Sequence, residues 1–119
     1  MSARFIKISL AYLVLGASLG IYMGLSQDFT LMPVHAHILL AGWLTLAMAG
    51  VIYRLHPEAA GTRLAQAHFW LHNLGLPVFM AGLALMLSGR ANLPPVIGTG
   101  AIALLVGFVC LALNLWRRI

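Results

Sequence analysis

The position of the histidines is the most informative feature of the sequence, because four of the five lie inside long apolar stretches. His35 and His37 fall near the start of one stretch, and His68 and His72 fall within the next. Ionisable side chains inside a membrane span are costly and usually have a function. Neutral imidazole is a common ligand of metals and of haem iron. The chain has only two acidic residues and nothing resembling a catalytic triad. The histidines therefore predict a metal or haem site.

The spacing within each pair restricts what the pair can bind. Residues two apart on an α-helix point about 200° apart, so we expect His35 and His37 to leave opposite sides of their helix and to serve two different sites. His68 and His72 are four apart and share a face, so they are candidates for a single copper or zinc site. His56, in the loop beside Glu58, is a possible further ligand.

The two pairs are also expected at different depths in the membrane. Successive spans run in opposite directions, so His37 is placed near one surface and His72 in the other half of the bilayer. With a rise of about 1.5 Å per residue, the offset is on the order of 15 Å. This predicts two separate sites. Alternatively, the histidines form only hydrogen bonds to carbonyl or hydroxyl groups of neighbouring helices, and this alternative has more weight for His68 and His72.

Composition assigns the chain to the integral membrane proteins. Its 119 residues are 62% hydrophobic and 8% charged, and the mean hydropathy is +0.99, whereas a soluble domain is about 25% charged. We predict an all-α domain over residues 1–119, with four runs long enough to cross about 30 Å of hydrocarbon. The predicted spans are Ile6–Leu25, Met32–Leu55, Leu64–Ser88 and Leu93–Trp116. Pro77 is expected to kink the third span, and Tyr12, Tyr22 and Tyr53 are expected in the interfacial aromatic belts.

The basic residues predict the orientation of these spans. Six of the seven fall on one side, which places both termini in the cytoplasm by the positive-inside rule, with the bacterial inner membrane as the expected location. They are Arg4, Lys7, Arg54, Arg63, Arg117 and Arg118, against Arg90 alone on the other side. Because these residues flank the spans, the pI near 10.4 indicates a lipid bilayer as the partner, and not a nucleic acid. The single Cys110 excludes an intrachain disulfide framework.

Glycines recur along the spans at intervals that favour close helix packing. Gly16, Gly20 and Gly24 form two overlapping G-x-x-x-G steps on the first span, and Gly75 and Gly82 are seven apart on the third. Small residues let helix backbones approach each other in lipid. Two interpretations remain open, namely packing within one chain and contact between subunits.

One stretch of the second span resembles a known family. Pro33-Val-His-Ala-His-Ile-Leu-Leu-Ala-Gly-Trp-Leu, continuing to Gly50-Val-Ile-Tyr53, is similar to the haem-ligating helix of subunit I of haem–copper oxidases and nitric oxide reductases. It is also similar to the His-Ala-His stretch of NnrS-type haem–copper membrane proteins. The stretch Ala67-His-Phe-Trp-Leu-His-Asn-Leu-Gly75 adds to the resemblance, which implies that His35 and His37 each ligate a haem on opposite sides of one helix. It also implies that the chain corresponds to one four-helix arc of subunit I.

The chain departs from the oxidase pattern in ways that limit the expected function. The oxidase copper site needs three further histidines, including an adjacent pair, and no His-His occurs here. The only acids, Asp28 and Glu58, lie in loops. We therefore expect a haem b protein that serves electron transfer or redox, gas or haem handling, without oxygen reductase activity or proton channels. A copper- or zinc-binding protein and a structural or assembly subunit are the alternatives.

The resemblance also bears on assembly. One helix cannot complete two bis-histidine sites, and no further histidine lies at the depth of His35 and His37. The missing ligands must come from methionine, from water or from another copy of the chain. Because oxidase subunit I is arranged as three four-helix arcs, the resemblance favours a trimeric ring, in which His35 of one copy faces His37 of the next across a haem. A two-fold dimer is the alternative, since dimers are the commonest symmetric oligomers.

Overall fold

The computed structural model describes residues 1–119 and is built from four long helices without any strand. We label them α1 (Ser2–Ser26), α2 (Met32–Leu55), α3 (Arg63–Leu87) and α4 (Pro94–Arg118). Each is long and apolar enough to cross a membrane, which confirms the expected all-α, four-span architecture. The helices exceed the predicted spans mainly at their basic ends. For example, α1 begins at Ser2 instead of Ile6, and the added turn contains Arg4, a good helix former.

The helix boundaries follow from local chemistry. Pro33 and Pro94 lie in the first turns of α2 and α4, and Pro57 begins a short helix, Pro57–Ala60, between α2 and α3. In a first turn the missing N–H of proline has no helical partner to lose. Thr62 caps α3 by accepting a hydrogen bond from the amide of Ala65. Beyond the end of α3, Gly89 has φ of 75°, a left-handed conformation that glycine adopts without steric cost.

Two features of the helix interiors bear on the expectations. Helix α3 continues through Pro77 without interruption. Helix α2 is not uniform, because a π-helical segment at Ile38–Leu44 separates α-helical Met32–His37 from α-helical Thr45–Leu55. The residue pattern of the second span does not predict this segment. His35 and His37 both lie in the α-helical turns before it, so the 200° argument still applies to them.

The glycines make close contacts between helices of the same chain. A Cβ added at Gly16 would meet Leu39 at 2.6 Å, and one added at Gly75 would meet the backbone of Leu104 at 2.9 Å. Thus α1 packs closely on α2, and α3 packs closely on α4. Packing within one chain is therefore the correct interpretation at Gly16, Gly20, Gly75 and Gly82, whereas Gly24 faces open space.

The four helices enclose two apolar cores, one near each end of the molecule. The core at the basic end, where six of the seven basic residues lie, consists of Phe5, Leu46, Ala49, Tyr53, Ala59, Ala65 and Phe69. The core nearer the opposite end, which we call the far end, consists of Val34, Ile38, Ala41, Leu76, Met80 and Leu104. The Cα trace measures 46 × 29 × 18 Å, so the domain is flattened. His68 and His72 lie between these cores.

Candidate functional site

His35 faces α1 from the second turn of α2. Its Nδ1 lies 2.8 Å from the carbonyl oxygen of Gly16. Because a carbonyl only accepts hydrogen bonds, Nδ1 must carry the proton, and Nε2 then holds a free lone pair. The ring fits here because the opposing residue is Gly20, where an added Cβ would lie 2.8 Å from Cε1 of His35. Two glycines of α1 therefore provide the hydrogen-bond acceptor and the space for this imidazole.

His37 has the same hydrogen-bond arrangement on the other flank of α2. Its Nδ1 donates to the carbonyl oxygen of Pro33 at 2.7 Å, one turn earlier in the same helix. Its ring stands edge-on to Phe79 of α3, with 5.2 Å between the ring centroids. His35 thus faces α1 and His37 faces α3, as their spacing predicts.

In both residues Nε2 is the available nitrogen. Neither Nε2 has a hydrogen-bond partner in the chain, and neither is among the buried polar atoms that lack a partner. Both therefore reach the surface of the chain. A neutral imidazole that donates Nδ1–H to a backbone carbonyl and exposes Nε2 has the tautomer and orientation typical of a histidine that ligates a metal.

His68 and His72 are arranged differently. Both are fully buried, with 0% exposure, and Nε2 of His68 lies 3.0 Å from Nδ1 of His72. Nε2 of His72 lies 2.8 Å from the carbonyl oxygen of Ala41, and Nδ1 of His68 lies 3.2 Å from the hydroxyl of Tyr53. The rings also contact α1 and α4, since His68 stacks on Phe5 of α1 and His72 meets Phe108 of α4 edge-on.

Tyr53, His68, His72 and Ala41 are joined by three successive hydrogen bonds. The direction of all three follows from the last acceptor, the carbonyl of Ala41. The carbonyl of Ala41 can only accept, so Nε2 of His72 donates and Nδ1 of His72 accepts from His68. Nδ1 of His68 must then accept from the hydroxyl of Tyr53. All four ring nitrogens are used when both histidines are neutral. The pair is therefore satisfied without any ligand.

This arrangement bears on the expected copper or zinc site. The structure contains no group of three or more His, Cys, Asp or Glu side chains close enough to hold a metal. His56 remains in its loop, where Nδ1 lies 3.4 Å from the carboxylate of Glu58. A metal at His68 and His72 would have to displace their mutual hydrogen bond and would find no third protein ligand from these residue types. Metal binding by this pair stays a hypothesis, and hydrogen bonding is the role that the geometry shows.

Tyr53 is the residue whose role the sequence analysis missed. The sequence predicts that it lies in an aromatic belt, but it is only 1% exposed and its hydroxyl donates to His68. A buried tyrosine hydroxyl usually needs a hydrogen-bond partner. The signal in the sequence was weak, because Tyr53 is separated from His68 by a loop and no local spacing connects them. Its assignment to the belt was wrong.

The concave surfaces of the chain do not contain the exposed histidines. Three concave surfaces lie at the ends of the helices. Two of them have volumes of about 440 Å³, and the third has a volume of about 360 Å³. None is lined by His35 or His37. A large planar ligand on either Nε2 would therefore lie outside these three concave surfaces.

Comparison with known proteins gives one informative similarity. No protein-family model matches the chain, and no solved structure matches it. The chain is 29% identical over 94 residues to the Cbb3-type cytochrome c oxidase subunit CcoN1 of Stutzerimonas stutzeri. The match covers 67% of the chain but only 19% of that relative, so the chain spans about a fifth of its length. Together with the four spans, this similarity indicates a multi-pass membrane protein related at a distance to haem–copper oxidase subunits.

Proposed function

We propose that the chain is a haem b-binding membrane protein in which His35 and His37 are axial ligands. The observation that carries the proposal is that both residues donate Nδ1–H to a backbone carbonyl and present Nε2 at the surface of the chain. Haem iron is commonly bound by neutral imidazole nitrogen. The proposed role is electron transfer, or redox, gas or haem handling.

The similarity to CcoN1 supports this proposal and also limits it. CcoN1 is named as a subunit of a cytochrome c oxidase, and that activity belongs to a much longer protein, of which the match covers only 19%. The present chain has no adjacent histidine pair for an oxidase copper site and no acidic residue within its spans. The proposal is therefore a cytochrome without oxygen reductase activity. The six basic residues at one end support the placement of both termini in the cytoplasm of a bacterium.

The surroundings of the two ligands indicate what the chain itself would contribute. A bound haem would supply the electron chemistry, while the protein would set the axial ligands and exclude water. The carbonyl of Gly16 orients His35, and the carbonyl of Pro33 orients His37. Apolar residues exposed nearby on the same stretch of chain, Phe29, Met32 and Leu40, would provide a low-dielectric wall.

We further propose that a second copy of the chain completes each haem site. The two Nε2 atoms leave opposite flanks of α2, and no concavity of the single chain contains either of them. A face of α2 that the other helices leave uncovered is apolar, with exposed residues at Leu40, Leu44, Met48, Val51 and Leu55. Their spacing of three and four residues places them along one side of the helix. A ring in which His35 of one copy faces His37 of the next would cover both ligands.

A trimer is the favoured ring because three such chains contain the twelve helices of an oxidase subunit I, and a two-fold dimer is the alternative. Native mass spectrometry in mild detergent separates them. One haem per subunit in a trimer supports the ring. A haem-loaded monomer would exclude any site shared between copies.

The absorption spectrum of the purified protein tests haem binding directly. We expect a Soret band and the sharp reduced α band of low-spin haem b, and we expect His35→Ala and His37→Ala each to remove or convert this signal. His56→Ala is the matched control, because His56 lies in a loop and its ring contacts Glu58. Unchanged haem content in the His35→Ala/His37→Ala double variant would refute the assignment.

A further inference from the structure

The π-helical segment of α2 changes the hydrogen bonding of one carbonyl. In an α-helix the amide of Thr45 would donate to the carbonyl of Ala41, four residues earlier. Here the amide of Thr45 donates instead to Leu40, five residues earlier. The hydroxyl of Thr45 donates to the same Leu40 oxygen at 2.7 Å. The carbonyl of Ala41 has thus lost the donor that an α-helix would give it, at a position where Ala41 is buried between α2 and α3.

His72 supplies the replacement donor. Its Nε2–H reaches the carbonyl of Ala41 at 2.8 Å from α3. The donor is fixed in this tautomer because Nδ1 of His72 accepts from His68, which in turn accepts from Tyr53. Backbone groups in a membrane interior must be satisfied within the protein, and donors from neighbouring helices stabilise such local departures from the α-helix. The π-helical segment and the pair His68 and His72, which we call the inner pair, therefore depend on each other.

We propose that His72, oriented by His68 and Tyr53, locks α2 in the π register and thereby sets the direction in which His35 and His37 point. Without this donor, the amide of Thr45 can return to the carbonyl of Ala41, which restores the α-helical ladder. The turns before Ala41 would then rotate by one residue position, about 100° around the helix axis. His35 would leave Gly16, and His37 would leave Phe79. The consequence for ligand geometry rests on the proposed haem function, whereas the register lock itself does not.

A disulfide between α1 and α2 reports the register without any cofactor. Leu39 lies in the part of α2 that would rotate, and a Cβ at Gly16 would lie 2.6 Å from Cδ2 of Leu39. The reporter is the pair Gly16→Cys and Leu39→Cys in a Cys110→Ser background, oxidised in liposomes. A second pair, Gly82→Cys with Ile97→Cys, serves as the control, because a Cβ at Gly82 lies 2.8 Å from Cγ1 of Ile97 on α4 and lies outside the rotating turns.

The test compares substitutions of His72 that differ in whether the new side chain is long enough to bring a donor to the carbonyl of Ala41. The side-chain amide of His72→Gln places a donor close to the position of Nε2, whereas His72→Asn has the same chemistry but is one methylene shorter. We expect the α1–α2 disulfide to form in the wild-type and His72→Gln backgrounds and to fall to background in His72→Asn and His72→Leu. The α3–α4 disulfide should form in all four. An α1–α2 yield in His72→Leu equal to that of the wild type would overturn the lock.

The remaining outcomes are also decisive. If His72→Leu loses both disulfides because it does not fold, the Gln and Asn variants decide, and equal α1–α2 yields in these two would overturn the lock. Where the wild-type protein carries haem, His72→Asn should lose part of the low-spin spectrum that His72→Gln retains. A wild-type protein without a Soret band would refute the proposed function, while the disulfide yields would still test the lock.

Discussion

The two histidine pairs contain the same side chain and both lie within long helices, yet they differ in burial and in the ring nitrogens that they leave available. At His35 and His37 one nitrogen is held by a backbone carbonyl and the other is free. At His68 and His72 all four nitrogens are used within the chain. Whether an intramembrane histidine is available as a ligand is therefore decided by its hydrogen bonds, and its presence in a span is not sufficient.

The difference also separates two functions of buried imidazole. His35 and His37, which we call the outer pair, are half-buried, and each presents the lone pair of Nε2 to a ligand outside the chain. The inner pair, on α3, is fully buried and touches the other three helices, through Phe5 of α1, Tyr53 and Ala41 of α2, and Phe108 of α4. We interpret the first pair as the site for a ligand and the second as the polar support that holds α2 in place.

The largest expected effect on stability comes from replacing only one histidine of the inner pair. His68→Leu removes the donor to Nδ1 of His72 and the acceptor of the Tyr53 hydroxyl, and a buried polar group left unpaired costs about 1–3 kcal/mol. The free energy of unfolding, measured by steric trapping in bicelles, should fall accordingly. His37→Leu removes one exposed hydrogen bond and should cost about 0.5–1.5 kcal/mol.

The double variant His68→Leu/His72→Leu sharpens this comparison. It removes both partners of the central hydrogen bond, so its loss of unfolding free energy should be smaller than the sum of the two single losses. His56→Leu, in the loop, should stay within about 0.5 kcal/mol of the wild type. Additive single losses in the cycle would contradict a coupled pair.

The next largest effect is expected at the glycine that makes room for His35. Gly20→Ala would place a Cβ 2.8 Å from Cε1 of His35, so the ring must move from the carbonyl of Gly16. Overpacking of this kind costs about 1–3 kcal/mol, and the low-spin haem signal should decrease. Gly24→Ala, one turn later on α1, meets nothing within 4 Å and should leave both properties unchanged or slightly improve stability. Equal haem content in the two variants would argue against His35 as a ligand.

A smaller effect on stability is expected from removal of the Tyr53 hydroxyl, which begins the series of hydrogen bonds through His68 and His72. Tyr53→Phe removes the donor to Nδ1 of His68 and keeps the ring, so we expect a loss of about 1 kcal/mol in the free energy of unfolding. Tyr22→Phe is the control, because Tyr22 is 57% exposed and makes no side-chain hydrogen bond within the chain. An equal response of the two variants would mean that the bond between Tyr53 and His68 does not contribute to stability.

The sequence was informative about helix faces and uninformative about hydrogen-bond partners. Spacing alone predicted that His35 and His37 would leave opposite flanks and that His68 and His72 would share a face, because helical periodicity is a local property. It did not predict the π segment, since a change of register by one residue has no signature in composition. The burial of Tyr53 and the choice of Ala41 as an acceptor depend on how α2 meets α3. These are tertiary contacts between residues far apart in sequence.

The smallest expected effect concerns the loop at the far end, next to the turns that carry the outer pair. The Thr30 hydroxyl and the Thr30 amide both donate to the carboxylate of Asp28, and these bonds hold the pKa of Asp28 below its ordinary value. A carboxyl whose pKa is lower in the folded state stabilises the fold above its unfolded pKa, and this contribution is lost as the pH falls through the folded pKa. We therefore expect stability to decrease slightly below about pH 4, and Asp28→Asn to remove that part of the pH dependence. Glu58→Gln changes the other acidic residue, at the basic end of the molecule, and is the variant with which the pH dependence of stability in Asp28→Asn is compared. Because Asp28 is fully exposed, neither variant should change the haem spectrum at neutral pH, and a spectral change in Asp28→Asn would show that this loop affects the position of His35 or His37.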